Sequence, residues 1–183
     1  MPRFLALPLF LSAIAVCTQA TAAPAPASLD PLLQSIEQRL AVADQVALSK
    51  WDSHKPVEDR PREQIVISGA KALAPQYNLD EAIVEQFFAA QIEANKLRQY
   101  ALLSAWTLAG AAPDSPRPDL AGVIRPQLDV LQKHLLLQLA AFASSRTDPQ
   151  CPQWLATANH NATTDELQRL ALIRATAELC ARP

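Results

Sequence analysis

Arg39 and Lys50 stand eleven residues apart in a stretch free of proline and glycine. That interval is about three turns of an α-helix at about 3.6 residues per turn, so both cations project from one face. Val42, Ala43 and Val46 share the face, and a helical protein turns such an apolar stripe inward. Two like charges on a buried stripe are costly unless something neutralises them, and an anionic ligand gripped by both is the chemistry this pattern suggests. Arg62 follows twelve residues after Lys50, beyond the turn-like segment 54–59, with Glu63 beside it. Gln91, Asn95 and Gln99 recur at spacings of four, in line on one helical face. Cations, a carboxylate and neutral amides can thus converge on one ligand. Taken singly, each has a plainer reading: a lone Arg or Lys is a solvated charge, and Gln91 or Asn95 a surface amide. The weight rests on the joint spacing.

The segments that bear these residues, RLAVADQVALSKW, KPVEDRPRE and QIEANKLRQY, resemble the secreted class of all-helical chorismate mutases. In that family an arginine, a lysine eleven on, an arginine twelve further and a glutamine or glutamate about fifty residues after the lysine form the site; Arg39, Lys50, Arg62 and Gln99 match. The resemblance implies conversion of chorismate to prephenate, an intramolecular Claisen rearrangement in which one carbon–oxygen bond breaks as a carbon–carbon bond forms. Such a reaction needs no nucleophile, metal or cofactor. It needs a folded conformer held by its two carboxylates, and stabilisation of charge developing on the ether oxygen.

By the same resemblance Arg39 holds a substrate carboxylate, Lys50 and Gln99 address the ether oxygen, and Arg62 lies at the ligand's edge. Glu63 through its carboxylate and Asp59 through its backbone match positions that contact the ring hydroxyl. Asn95 stands where the family usually has serine or threonine in contact with a carboxylate, a longer side chain with the same ability to donate. A last arginine is expected from the same polypeptide; Arg125 is the best match, with Arg117 the nearest substitute. The competing reading is a non-catalytic exported helical domain that binds a partner or a small anion.

Helices must position these groups. Glycine occurs only three times, alanine and leucine abound, and apolar alternation at period two is missing, so the chain reads as all-α, a single domain of five to six helices; the resemblance implies the type II chorismate mutase arrangement of them. Asp30-Pro31 reads as an N-cap and first helical position opening a helix to about residue 53. Further helices are expected over about 61–76, from 80 to about 106, over about 120–145, and briefly after Pro152. Prolines 113, 116 and 118 fill a loop no helix crosses. Thr163 with Glu166 forms a capping-box pattern for a last helix to about Cys180, a reading preferred over glycosylation at Asn161.

Residues 1–23, with Arg3, an apolar run over 4–16 and a small-residue stretch 20–23, read as an export signal, leaving a domain over 24–183 whose first residues, 24–28, read as flexible. Lipidation at Cys17 is the weaker alternative, because Val16 occupies a position where a small residue is wanted. Removing the signal leaves Cys151 and Cys180, an even count that reads as a disulfide in an oxidising compartment, against two unpaired thiols; the resemblance implies the same C-terminal disulfide. A periplasmic or secreted protein follows, with no membrane span after cleavage. His54, His134 and His160 share no metal-ligand spacing, and a formal charge of −2, or near −3 after loss of Arg3, gives no support for nucleic-acid binding. Relatives of this class are often dimers with a complete site in each chain, so a homodimer is compatible with the resemblance.

Overall fold

The computed structural model describes residues 23–181; the expected export signal, including Cys17, lies outside the described residues. Among the described residues six α-helices follow one another without a strand: α1 (Leu29–Ser53), α2 (Arg60–Leu73), α3 (Glu81–Ala109), α4 (Arg125–Phe142), α5 (Cys151–Ala162) and α6 (Glu166–Thr176). Short 3₁₀ turns extend α2 over Ala74–Tyr77 and α4 over Ala143–Thr147. None of the helices is long and apolar enough to cross a membrane.

Apolar spacing explains the packing. Leu29, Leu32, Leu33, Ile36 and Leu40 form a stripe at intervals of three and four on α1, and it meets Val84, Phe87 and Phe88 of α3 and Leu135, Leu136, Leu139 and Phe142 of α4. Each such side chain contributes about 1.5–3 kcal/mol on burial, which outweighs the modest preferences of single turns. Helix α3 lies at the centre, packed by α1, α2 and α6. Farther along α1, where the site residues begin, a second small cluster of Val42, Ile124 and Leu131 is flanked by Val46, Leu120 and Leu128. Trp51 and Trp106 meet edge to face at 6.0 Å and join the C-terminal ends of α1 and α3.

The ends of the helices correct several expectations. Helix α1 starts at Leu29, so Asp30 lies inside its first turn instead of capping it, and Ser28 at the cap position makes no side-chain bond. Its other end closes on His54 in a left-handed conformation (φ 53°). Helix α3 runs past Trp106 to Ala109, where Gly110 supplies the positive φ of 75°. The cap of α6 is Asp165, whose carboxylate accepts from the Gln168 N–H; Thr163 instead accepts from the Asp165 N–H, two residues too early for a capping box. Nor is the segment before α1 loose: the Trp154 indole donates to the Ala23 carbonyl at 2.9 Å, and Leu29 N–H to the Pro26 carbonyl.

The Cys151–Cys180 disulfide is formed and closes a separation of 29 residues. On the chain-entropy model it contributes about 3–4 kcal/mol. Beside it, Arg146 donates to the carbonyls of Glu178 and Leu179 and accepts from Ala181 N–H at its own carbonyl, so the C-terminal segment is held by both covalent and polar ties.

Candidate active site

Four elements enclose a cavity of about 130 Å³. Helix α1 contributes Arg39, Val46 and Lys50; the loop and α2 contribute Asp59, Arg62 and Glu63; α3 contributes Ile92, Asn95, Lys96 and Gln99. Helix α4 and the turn before it contribute Arg125 and Asp129. Every residue that the family resemblance assigns to the site therefore reaches one cavity, and of the three amides in line on α3 only Gln91 does not. Arg117, the substitute, does not line it: its guanidinium pairs with Asp52 at 3.1 Å and donates to the carbonyls of Pro113 and Ser115.

Arg39 is 6% exposed, and its guanidinium meets no acceptor among the described residues. Burial pushes its pKa down to about 10, which leaves it a cation at neutral pH. The unreturned cost of desolvation is the kind that an incoming carboxylate relieves. Lys50, farther along the same helix, donates to the Pro56 carbonyl at 2.7 Å, holding the 54–59 loop against α1 with one of three ammonium protons.

Helix α2 opens by reciprocal capping. The Asp59 carboxylate accepts from Arg62 N–H, while Asp59 N–H donates to Glu63 Oε1, both at 3.2 Å, with Pro61 in the first turn where its missing N–H costs nothing. Arg62 stands 3.9 Å from the Asp129 carboxylate, both at the solvent edge.

The amides on α3 part company. Gln91 is buried, not a surface amide, and does not reach the cavity: its Nε2 donates to the Ala175 carbonyl at 2.8 Å and ties α3 to α6. Asn95, also buried, donates weakly to the Arg39 carbonyl at 3.4 Å and accepts at Oδ1 from Gln99 Nε2 at 2.6 Å. Gln99 thus keeps a second Nε2 proton, and its Oε1 is buried without a partner.

Arg125 owes its place to a π-turn over Leu120–Ile124, which ends on it. Asp119 caps that turn through the N–H groups of Ala121 and Gly122, and a Cβ on Gly122 would lie 2.6 Å from the Asp119 carboxylate oxygen, so the turn needs glycine there. Pro126 falls in the first turn of α4, where it is tolerated.

Sequence reasoning missed Lys96. Its Nζ lies 3.2 Å from Glu63 Oε2 and 2.7 Å from Glu93 Oε1. Burial opposes its charge, yet the bonds and fields of Glu93 and Glu63 win and raise its pKa above the ordinary lysine value. Only the pairing with Glu93 three residues earlier could be read from spacing; that with Glu63 is tertiary.

The chorismate mutase type II family model matches residues 30–100. A secreted chorismate mutase of Mycolicibacterium smegmatis is 33% identical over 156 residues, covering 83% of this chain and 86% of the relative. The chain belongs to the type II chorismate mutases. That family places it among the isomerases, in agreement with the enzyme class expected from the sequence. A monofunctional chorismate mutase of Enterobacter agglomerans is 32% identical over 173 residues, covering 91% of this chain and 92% of the relative. Among solved structures, a chorismate mutase from Burkholderia phymatum superposes with a TM-score of 0.81 at 44% identity, over 85% of this chain and 97% of that one. The match to the family model ends at residue 100, one residue after Gln99, so Arg125 and the disulfide-closed C-terminal helices lie outside it, while the longer relatives extend over them.

Proposed function

We propose that the cavity converts chorismate to prephenate by a pericyclic Claisen rearrangement, through binding of the reactive conformer and electrostatic stabilisation of its ether oxygen. The observation that carries this reading is Arg39, a buried cation without a partner among the described residues, in a wall that also holds Lys50, Arg62 and Arg125. A planar guanidinium suits a carboxylate because two parallel hydrogen bonds fit it, and an ammonium suits a single oxygen as a compact charge. Arg39 binds one carboxylate of the substrate, and Arg125 with Arg62 completes the cationic wall toward the other. Lys50 and the free proton of Gln99 Nε2 donate to the ether oxygen as its bond lengthens, an interaction stronger in the transition state than in the ground state.

The ring hydroxyl fits between Asp59 N–H and Glu63 Oε1. These two bond each other, and a hydroxyl, donor and acceptor at once, would satisfy both on inserting between them. Export follows from the signal-like residues 1–23, with a mature domain over 24–183; the disulfide and the secreted relatives support it.

The test is loss of chorismate absorbance in the ultraviolet, followed with protein from Ala23 onward and with Lys50→Ala beside it. Turnover falling by about three orders of magnitude or more in the variant is expected, since the lysine acts on the transition state. A folded, disulfide-intact protein that leaves chorismate unchanged would sink the reaction; a variant altered only in KM would make Lys50 a positioning residue.

A further inference from the structure

Glu63 poses an electrostatic problem for the reading above, on which this inference rests. A substrate with two carboxylates enters a cavity whose wall includes a carboxylate about one-fifth exposed, and like charges in so confined a space repel strongly. We propose that Lys96 is the positioning residue that makes Glu63 usable: it anchors Oε2 and offsets part of the charge, leaving Oε1 and the Asp59 N–H to recognise the ring hydroxyl.

The geometry divides the two carboxylate oxygens between two tasks. Oε2 faces Lys96 Nζ at 3.2 Å, and Oε1 faces Asp59 N–H at 3.2 Å on the cavity side of the cap. With both oxygens engaged from different elements, α3 and the start of α2, the carboxylate plane is fixed before any ligand arrives, and preorganisation of that kind removes an ordering cost from binding. Glu93 shares the ammonium at the shorter distance of 2.7 Å but is about half-exposed, whereas Glu63 is about one-fifth exposed, so solvent screens the Glu93 contact more than the Glu63 one. A lysine serving only its own helix would need Glu93 alone. Lys96 also stands between Asn95 and Gln99 on α3, within the wall that the substrate must touch.

Kinetics of the mature protein with chorismate, and with an analogue lacking the ring hydroxyl, test the assignment in Lys96→Met, Lys96→Arg, Glu63→Gln and the Lys96→Met/Glu63→Gln double variant. Lys96→Met is expected to raise KM for chorismate about tenfold, about 1.4 kcal/mol, with kcat changed less than about threefold. Lys96→Arg recovers most of the loss. In the Glu63→Gln background the same Lys96→Met step costs less than about twofold, because no charge remains to be offset. Preference for chorismate over the analogue falls in Lys96→Met and falls no further in the double variant. An unchanged KM, an equal penalty with and without the Glu63 carboxylate, or a loss confined to kcat overturns the proposal. Calorimetric binding of a bicyclic dicarboxylate that mimics the transition state reads the same coupling without turnover. Wild-type protein that binds the mimic but rearranges nothing fails the reaction alone. Active wild type without coupling between Lys96 and Glu63 fails this proposal alone.

Discussion

Arg39 and Arg98 both lie largely inside the bundle, on α1 and α3, and their surroundings are opposite. Arg98 is satisfied by the protein itself: Nε and Nη2 grip the two oxygens of Asp44 at 2.5 and 3.0 Å, and Nη1 donates to Gln168 at 2.9 Å, tying α3 to α1 and α6. Arg39 has no such set, and burial weakens its hold on the proton where the bond to Asp44 strengthens that of Arg98. Two identical side chains, both desolvated, thus serve different ends according to whether a carboxylate of the chain reaches them. A guanidinium paired internally fastens helices. One left unpaired among the described residues is, on the function proposed above, the group that an anionic substrate would satisfy.

Replacing each arginine separates the two cases. Arg39→Leu is expected to lower kcat/KM for chorismate by about three orders of magnitude while leaving the melting temperature equal or higher, because it removes a buried charge with no partner. A clear drop in stability with activity retained would erase the contrast. Arg98→Met should do the reverse, costing about 1 kcal/mol in denaturant unfolding, a modest figure because Asp44 is about half-exposed, with activity within a few-fold.

The smallest effect is one of shape. With Gln99 as donor, the pH profile should stay nearly flat from about pH 5 to 9. It should fall only as Arg39 approaches its lowered value of about 10, where loss of the cation loosens its grip on the carboxylate. Gln99→Glu should move the optimum to acid, since a carboxyl must keep its proton to donate and loses it as pH rises through its pKa. A steep alkaline fall below pH 9 in the unmutated protein would remove Gln99 from the ether oxygen.

Much of this was legible before any coordinates, for a physical reason. Arg39 and Lys50 share one helix, whose period converts spacing into direction, and Asn95 and Gln99 share another; that the two helices bring these groups together was implied by the family resemblance, not by the period. The six helices could be read from the same period together with the scarcity of glycine and the placement of proline. What escaped was tertiary or too local for a period to register. Gln91 fits the line of Asn95 and Gln99, yet its partner is a carbonyl 84 residues away. Lys96 resembles any solvated lysine until α2 brings Glu63 beside it. The π-turn before Arg125 depends on a close approach of Gly122 to Asp119, and Asp165 outcompetes Thr163 as a cap because it sits directly before the first turn of α6.

The 25 residues of α1 form one unbroken rod that carries Arg39 and Lys50 to the same cavity. Their separation is therefore fixed by residue count, at about 1.5 Å and about 100° per step. Exchange of side chains between them leaves the interval intact, whereas gain or loss of one residue swings the lysine by roughly a quarter-turn, away from the wall. Over residues 39–50 side chains can be exchanged where neither the packing of Val42 nor the Asp44–Arg98 pair forbids it, whereas the length of the segment is held fixed.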